Sequence, residues 1–145
     1  MTYNIYNKLT TLFRNNNHDK LRVLYELCDI LESYEYKDYN IENLNEILNF
    51  LVSKIHTEND SKLKDQISEA INLVFMYQQV NEFNFDSIIL VLDNLSEFAL
   101  SNLLEVLGQS NNASYLNLLE QYKNHSNILV REAAYNAISN LCSTI

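Results

Sequence analysis

At 145 residues the chain has single-domain length, and 47% hydrophobic content with ten tyrosines and six phenylalanines argues against disorder. No proline and a single glycine, Gly108, leave almost none of the turn chemistry that a β-sandwich or barrel needs, so an all-α protein is expected. The formal charge of −9 is concentrated in residues 21–105, with 16 acids against 5 bases, which disfavours nucleic acid and anionic membranes and favours a basic protein partner.

In chain order, residues 3–14 place Tyr6, Leu9, Leu12 and Phe13 on one face of a short amphipathic helix. A second helix runs from about His18 to Tyr34, with Leu21, Leu24, Tyr25, Cys28 and Leu31 inward and Glu26, Asp29 and Glu32 on the other side. After the tyrosine-rich connector Tyr34–Tyr39, Asn40 is expected to cap a third helix with the stripe Ile41, Leu44, Ile47, Leu48, Leu51 and Ile55. A fourth helix from Ser61 to about Val80 turns Leu63, Ile67, Ala70, Ile71, Val74 and Phe75 inward. Asn84 or Asp86 starts a fifth through Ile88, Ile89, Val91 and Leu92, a run that as a buried strand is the weaker reading. The sixth follows Ser96, buries Ala99, Leu103, Val106 and Leu107, and stops at Gly108. The seventh covers Ala113 to Lys123, with Tyr115, Leu116, Leu119 and Tyr122 apolar. The eighth, Asn127 to Leu141, buries Val130, Ala133, Ala134, Ala137, Ile138 and Leu141, and its alanines invite a close helix neighbour.

No run approaches the roughly 18–20 apolar residues of a membrane helix, and Met1–Lys8 lacks the pattern of a secretory signal, so a cytoplasmic protein is expected. Cys28 and Cys142 both fall on apolar faces, which suits buried, reduced thiols. His18, His56 and His125 lie in or beside connectors without partners at metal-ligand spacing, and a phosphate-cradling loop cannot be built with one glycine. Neither a cofactor, a metal nor an enzymatic activity is therefore expected.

Internal similarity is the strongest pattern. Val130-Arg-Glu-Ala-Ala-Tyr-Asn-Ala-Ile138 aligns with Leu63-Lys-Asp-Gln-Ile-Ser-Glu-Ala-Ile71 at an offset of 67, and with Ala99–Leu107 at an offset of 31. Asp60 and Asn127 stand three residues ahead of the aliphatic in their copies. The pattern resembles the HEAT-repeat family, whose second helix typically reads Asp-x-x-Val-Arg-x-x-Ala-x-x-Ala-Leu. Asn127, Val130, Arg131, Ala134, Ala137 and Ile138 match it closely; Asp60, Leu63, Lys64, Ile67, Ala70 and Ile71 match it less closely. The resemblance covers roughly residues 40–143; the middle copy lacks the acid–base pair, and the family's common prolines are missing. It implies a single stack of helical hairpins over 1–145: an N-terminal helix pair and connector in 1–39, then three HEAT-like pairs in 40–145. It also implies that Asp60, Lys64, Asn127 and Arg131 link neighbouring repeats. A generic antiparallel bundle is the competing architecture.

The alignment equates Glu132 with Asp65, Asn136 with Glu69 and Glu105, and Tyr135 with Ser68 and Leu104. These positions avoid the stripe and are expected to point outward in a row. Asp65, Glu69, Glu105, Glu132, Tyr135 and Asn136, extended by Glu26, Asp29 and Glu32, form the candidate partner-binding face. An ordinary solvated surface is the plain alternative. By size, charge and architecture the chain is similar to immunity proteins of bacterial polymorphic-toxin and contact-dependent inhibition systems. That likeness implies an inhibitor that covers a basic active cleft of a cognate toxin. A HEAT-like adaptor without inhibitory action is the second reading, and a helical-repeat lyase or glycosylase, opposed by the charge, the third. The oligomeric state is open.

Overall fold

The structure, a computed structural model, describes residues 4–34 and 40–143, so residues 35–39 of the tyrosine-rich connector lie outside it. Among the described residues there are eight α-helices, two 3-10 turns and no strand. Contacts group the chain into two compact units, Met1–Phe83 and Asn84–Ile145. No helix among the described residues is long and apolar enough to cross a membrane.

Unit 1 contains α1 (Ile5–Leu12), α2 (Asn17–Glu32), α3 (Leu44–Thr57) and α4 (Ser61–Tyr77). Side-chain oxygens satisfy amides that the first turn of a helix leaves without partners: Asn16 accepts from Asp19 and Asp60 from Leu63, both at 2.9 Å. Val23, Leu24, Leu27 and Leu31 of α2 and Leu63, Ile67, Ile71 and Val74 of α4 are fully buried. Each such side chain contributes roughly 1.5–3 kcal/mol relative to exposure.

One sequence offset recurs across this unit. Lys20 Nζ lies 3.5 Å from Glu58, and Gln66 Nε2 donates to Cys28 Sγ at 3.3 Å, both at a separation of 38 residues. Asn4 donates to Asn43 at 3.1 Å, 39 residues on, and the Phe13 ring meets Phe50 edge-on at 5.3 Å. Antiparallel partners would keep the sum of their numbers constant; a constant difference means that α2 and α4 run parallel and in register. The first hairpin thus lies on the second with a period near 38, a repeat absent from the offsets of 67 and 31 that the alignment detects.

The loops carry that register too. Asn40 does not cap α3 as expected. Its amide instead donates to the Gln79 carbonyl at 2.9 Å and accepts from the Gln79 amide at 2.7 Å. Next to it, the Ile41 amide donates to the buried Gln78 Oε1 at 2.7 Å. The residue before α3 is Asn43, at φ 60, a left-handed conformation that asparagine tolerates. At the other end, α4 stops at Tyr77, short of the expected Val80, and Gln78 leaves the helix to make this clasp.

Unit 2 contains α5 (Asp86–Ile89), α6 (Glu97–Leu107), α7 (Leu116–Tyr122) and α8 (Ile128–Cys142), with 3-10 turns at Leu92–Asn94 and Ala113–Tyr115. The expected fifth helix is reduced to one α-turn. Ser96 caps α6 through the Ala99 amide at 3.1 Å, and Asn127 caps α8 through Leu129 and Val130 at 2.8 and 3.3 Å. Asp60, Ser96 and Asn127 therefore perform one local task at equivalent positions.

Asn127 Nδ2 also donates to Glu97 at 2.8 Å, and Asn136 Nδ2 donates to Glu105 at 3.1 Å, separations of 30 and 31 residues. At the far end a Cβ on Gly108 would fall 2.7 Å from Ala137 Cα. These contacts make α6 and α8 a second parallel pair, in the register of the sequence alignment. Gly108 does end α6, but with right-handed φ −64 and ψ −16; a glycine is required by the absence of space.

Several expected positions are corrected. Tyr25 is exposed, because α2 centres its buried arc on Leu24, Leu27 and Leu31 and Tyr25 stands at its edge. Ser68 and Leu104 are buried, not outward. On α4 and α6 burial extends one position beyond the stripe, whereas α8 keeps a narrow stripe of Val130, Ala133, Ala134, Ala137 and Leu141 that leaves Tyr135 open. Cys142 is exposed at the end of α8, while Cys28 is buried; both are free thiols.

Candidate partner-binding face

In unit 1 the predicted acids divide by environment. Glu26 is paired with Lys8 at 2.7 Å, which offsets its charge. Asp29 and Glu32 are exposed on α2, and Asp65 and Glu69 are half-buried on α4. The α2–α4 seam brings Glu69, Glu32 and Asp29 around the buried Cys28 thiol. Burial, and then those three carboxylates, push Cys28 up to about 12 against the opposing hydrogen bond from Gln66. The thiol is therefore an inert core group at neutral pH, and the seam above it is an anionic strip.

In unit 2 the four predicted residues lie on the α6–α8 pair. Glu105 is half-buried and accepts from Asn136; burial raises its carboxyl above the ordinary range, with the Asn136 bond opposing that shift. Tyr135 is 55% exposed, and the Lys123 ammonium, bound to Glu120 at 3.1 Å, sits 5.2 Å from the ring centroid. Glu132, one turn before Asn136, is exposed. Arg131 is not in the outward row: its guanidinium donates to the carbonyls of His125 and Ser126 at 2.9 and 3.0 Å, closing the loop that leads into its own helix. Its bonds are thus within its own copy, unlike the inter-repeat link implied by the HEAT pattern. Asn127, through Glu97, does join adjacent copies.

Three exposed apolar side chains on the same two helices escaped the sequence reading. Phe98 on α6 is 41% exposed, and Ile128 and Leu129 on α8 are 56% and 48% exposed. Their signal was the alignment itself, in which Phe98 and Leu129 are equivalent. Both stand beside the buried stripe, where an apolar residue is ordinarily read as its edge.

A polar depression in unit 1 is lined by Asn40, Asn43, Asn45, Glu46, Gln79 and Glu82, among others. The side-chain amide of Asn40 and the Asn43 Oδ1 are already engaged in the inter-hairpin bonds described above. Of the three histidines, His18 and His56 are exposed, and His125 Nδ1 accepts from the Asn127 amide at 3.0 Å. No group of three or more His, Cys, Asp or Glu side chains among the described residues is placed to hold a metal.

Comparisons with known protein families, with curated proteins and with solved structures returned no match.

Proposed function

We propose that the chain is a protein-binding inhibitor, an immunity protein that neutralises a cognate bacterial toxin by covering a basic surface or active cleft. The reading includes a HEAT-like α-solenoid, in which the second helices of successive hairpins recur in parallel. The observation that carries it is the pairing of in-register parallel helices that carry carboxylates: Asp29, Glu32 and Glu69 at the seam of unit 1, Glu105 at the seam of unit 2 and Glu132 exposed on α8. Acids on packed helices present their charge without the cost of ordering loops. A net charge of −9 steers a cationic partner into contact, where carboxylates occupy positions made for substrate phosphates.

The test is co-expression with a toxin domain encoded by a neighbouring gene, followed by copurification and measurement of growth. Rescue and a stable complex are the expected result. Reversal of the exposed acids (Asp29→Lys, Glu32→Lys and Glu132→Lys together) then weakens the complex, more at low salt than at high, with an unchanged melting temperature. Absence of rescue by the wild-type chain sinks the immunity reading. A HEAT-like adaptor is the second reading, favoured by the exposed Tyr135 and its apolar neighbours; its signature is a stable complex whose partner keeps its activity.

A further inference from the structure

We infer that the outer faces of α6 and α8 form a groove for a basic amphipathic helix of a partner protein, anchored on Phe98, Ile128 and Leu129. The inference rests on the partner-binding reading above and assigns it a place and a ligand chemistry.

Helical periodicity locates the groove. Phe98 lies seven residues, about two turns, before Glu105, and Leu129 lies seven before Asn136. Glu105 and Asn136 meet across the seam at 3.1 Å, so Phe98 and Leu129 occupy the two sides of that seam two turns nearer the helix starts. The Asn127–Glu97 bond closes the same end. From there the face continues along α8 through Glu132 to Tyr135. Apolar anchors at one end and an aromatic two turns on match the spacing of side chains on one face of a helix. An extended peptide is disfavoured because the backbone groups of α6 and α8 are used inside those helices. A helix brings its own backbone bonds already made.

Charge selects the sign of the ligand. Residues 84–145 carry six acids and two bases. Both bases are engaged: Lys123 with Glu120 and the Tyr135 ring, Arg131 with the carbonyls of its own loop. Glu132 stands exposed beside the apolar anchors and forms no ion pair with another described residue. A second copy of this chain would set one acidic face against another, whereas a lysine- or arginine-flanked apolar stripe complements it.

The probe is a labelled synthetic Leu/Lys helix of about 14 residues, four turns, with leucines at i, i+3, i+4 and i+7. Its binding to the full chain is followed by fluorescence anisotropy, beside a scrambled peptide of equal composition and one with glutamate for lysine. The patterned peptide is expected to bind at least about tenfold more tightly than either control, and Phe98→Ser with Leu129→Ser to remove about that factor. Glu132→Lys, a surface change, is expected to weaken binding about threefold. Equal binding of patterned and scrambled peptides overturns the groove, as does unaltered affinity in the double variant with wild-type melting. Sedimentation showing a dimer that the double variant abolishes assigns the face to self-association and also overturns it. Failed toxin rescue with selective peptide binding removes the immunity reading alone; rescue without peptide selectivity removes the groove alone.

Discussion

In unit 1 the parallel helices α2 and α4 bury leucines, isoleucines and valines, whereas in unit 2 α6 and α8 close until Gly108 has no room for a methyl group. Both pairs hold a constant register, near 38 residues in unit 1 and near 30 in unit 2. Unit 1 adds a clasp of loop amides; in unit 2 α6 buries leucines as well, but the buried stripe of α8 is mostly alanine and Gly108 stands against Ala137. Parallel packing is therefore a property of topology and register, and side-chain size sets how closely the helices approach. The exposed sides differ in apolar content: both units expose acids, but the large exposed apolar side chains are Tyr25 and Met76 in unit 1 against Leu90, Phe98, Ile128, Leu129 and Tyr135 in unit 2.

That contrast is broken from opposite directions in the two units. Removing volume should injure unit 1 most. Leu27→Ala, at a fully buried position, is expected to lose about 2–5 kcal/mol, read as a lower midpoint in urea unfolding. Adding volume should injure unit 2. At its right-handed φ, Gly108→Ala would by itself stabilise by about 0.4–1 kcal/mol through the unfolded chain. The new Cβ would lie 2.7 Å from backbone at Ala137, so overpacking is expected to win with a net loss of about 1–3 kcal/mol. Raised hydrogen exchange in α6 and α8 would locate the damage, and a stabilised protein would refute the close approach.

Two smaller changes sharpen the comparison. Asn127→Ala removes a cap and the bond to Glu97, and should cost more than Asp60→Ala, about 2 against about 1 kcal/mol. Equal midpoint shifts would mean that the Glu97 bond contributes nothing. The smallest effect is expected at Glu105, whose folded carboxyl is raised by burial. A raised acid favours the protonated form in the fold, so its ionisation costs stability as pH rises from the ordinary carboxylate range through the folded value. Glu105→Gln keeps an oxygen for Asn136 and should melt slightly higher at pH 7. The gain should vanish as pH falls below the carboxylate range, as melting curves at both ends would check.

Local chemistry was readable before any coordinates. Asp60, Ser96 and Asn127 stand at the helix starts expected for them, and the stripes expected for the third and fourth helices are buried, because both signals are local and periodicity is intrinsic to a helix. Features set by neighbours were not. Ser68 and Leu104 resemble Tyr135 in the alignment, yet their burial depends on how wide an arc the surroundings cover. Asn40 looked like a cap because its partner, Gln79, lies 39 residues away. Gly108 was placed correctly as a terminus, but the reason for a glycine there is Ala137, which no local rule supplies. Of the candidate face, the equivalence of Glu105 and Asn136 was read from the repeat, whereas the bond between them and the exposure of Phe98, Ile128 and Leu129 were not.

The clasp of Asn40, Gln78 and Gln79 has a consequence for how such a chain can change. It engages main-chain groups at both Ile41 and Gln79, so the alignment of one hairpin on the next is written into connecting segments. Substitutions along the solvent side of α2 or α4 leave those bonds untouched. Outward residues of those helices can therefore change while the loop bonds that hold one hairpin on the next stay in place.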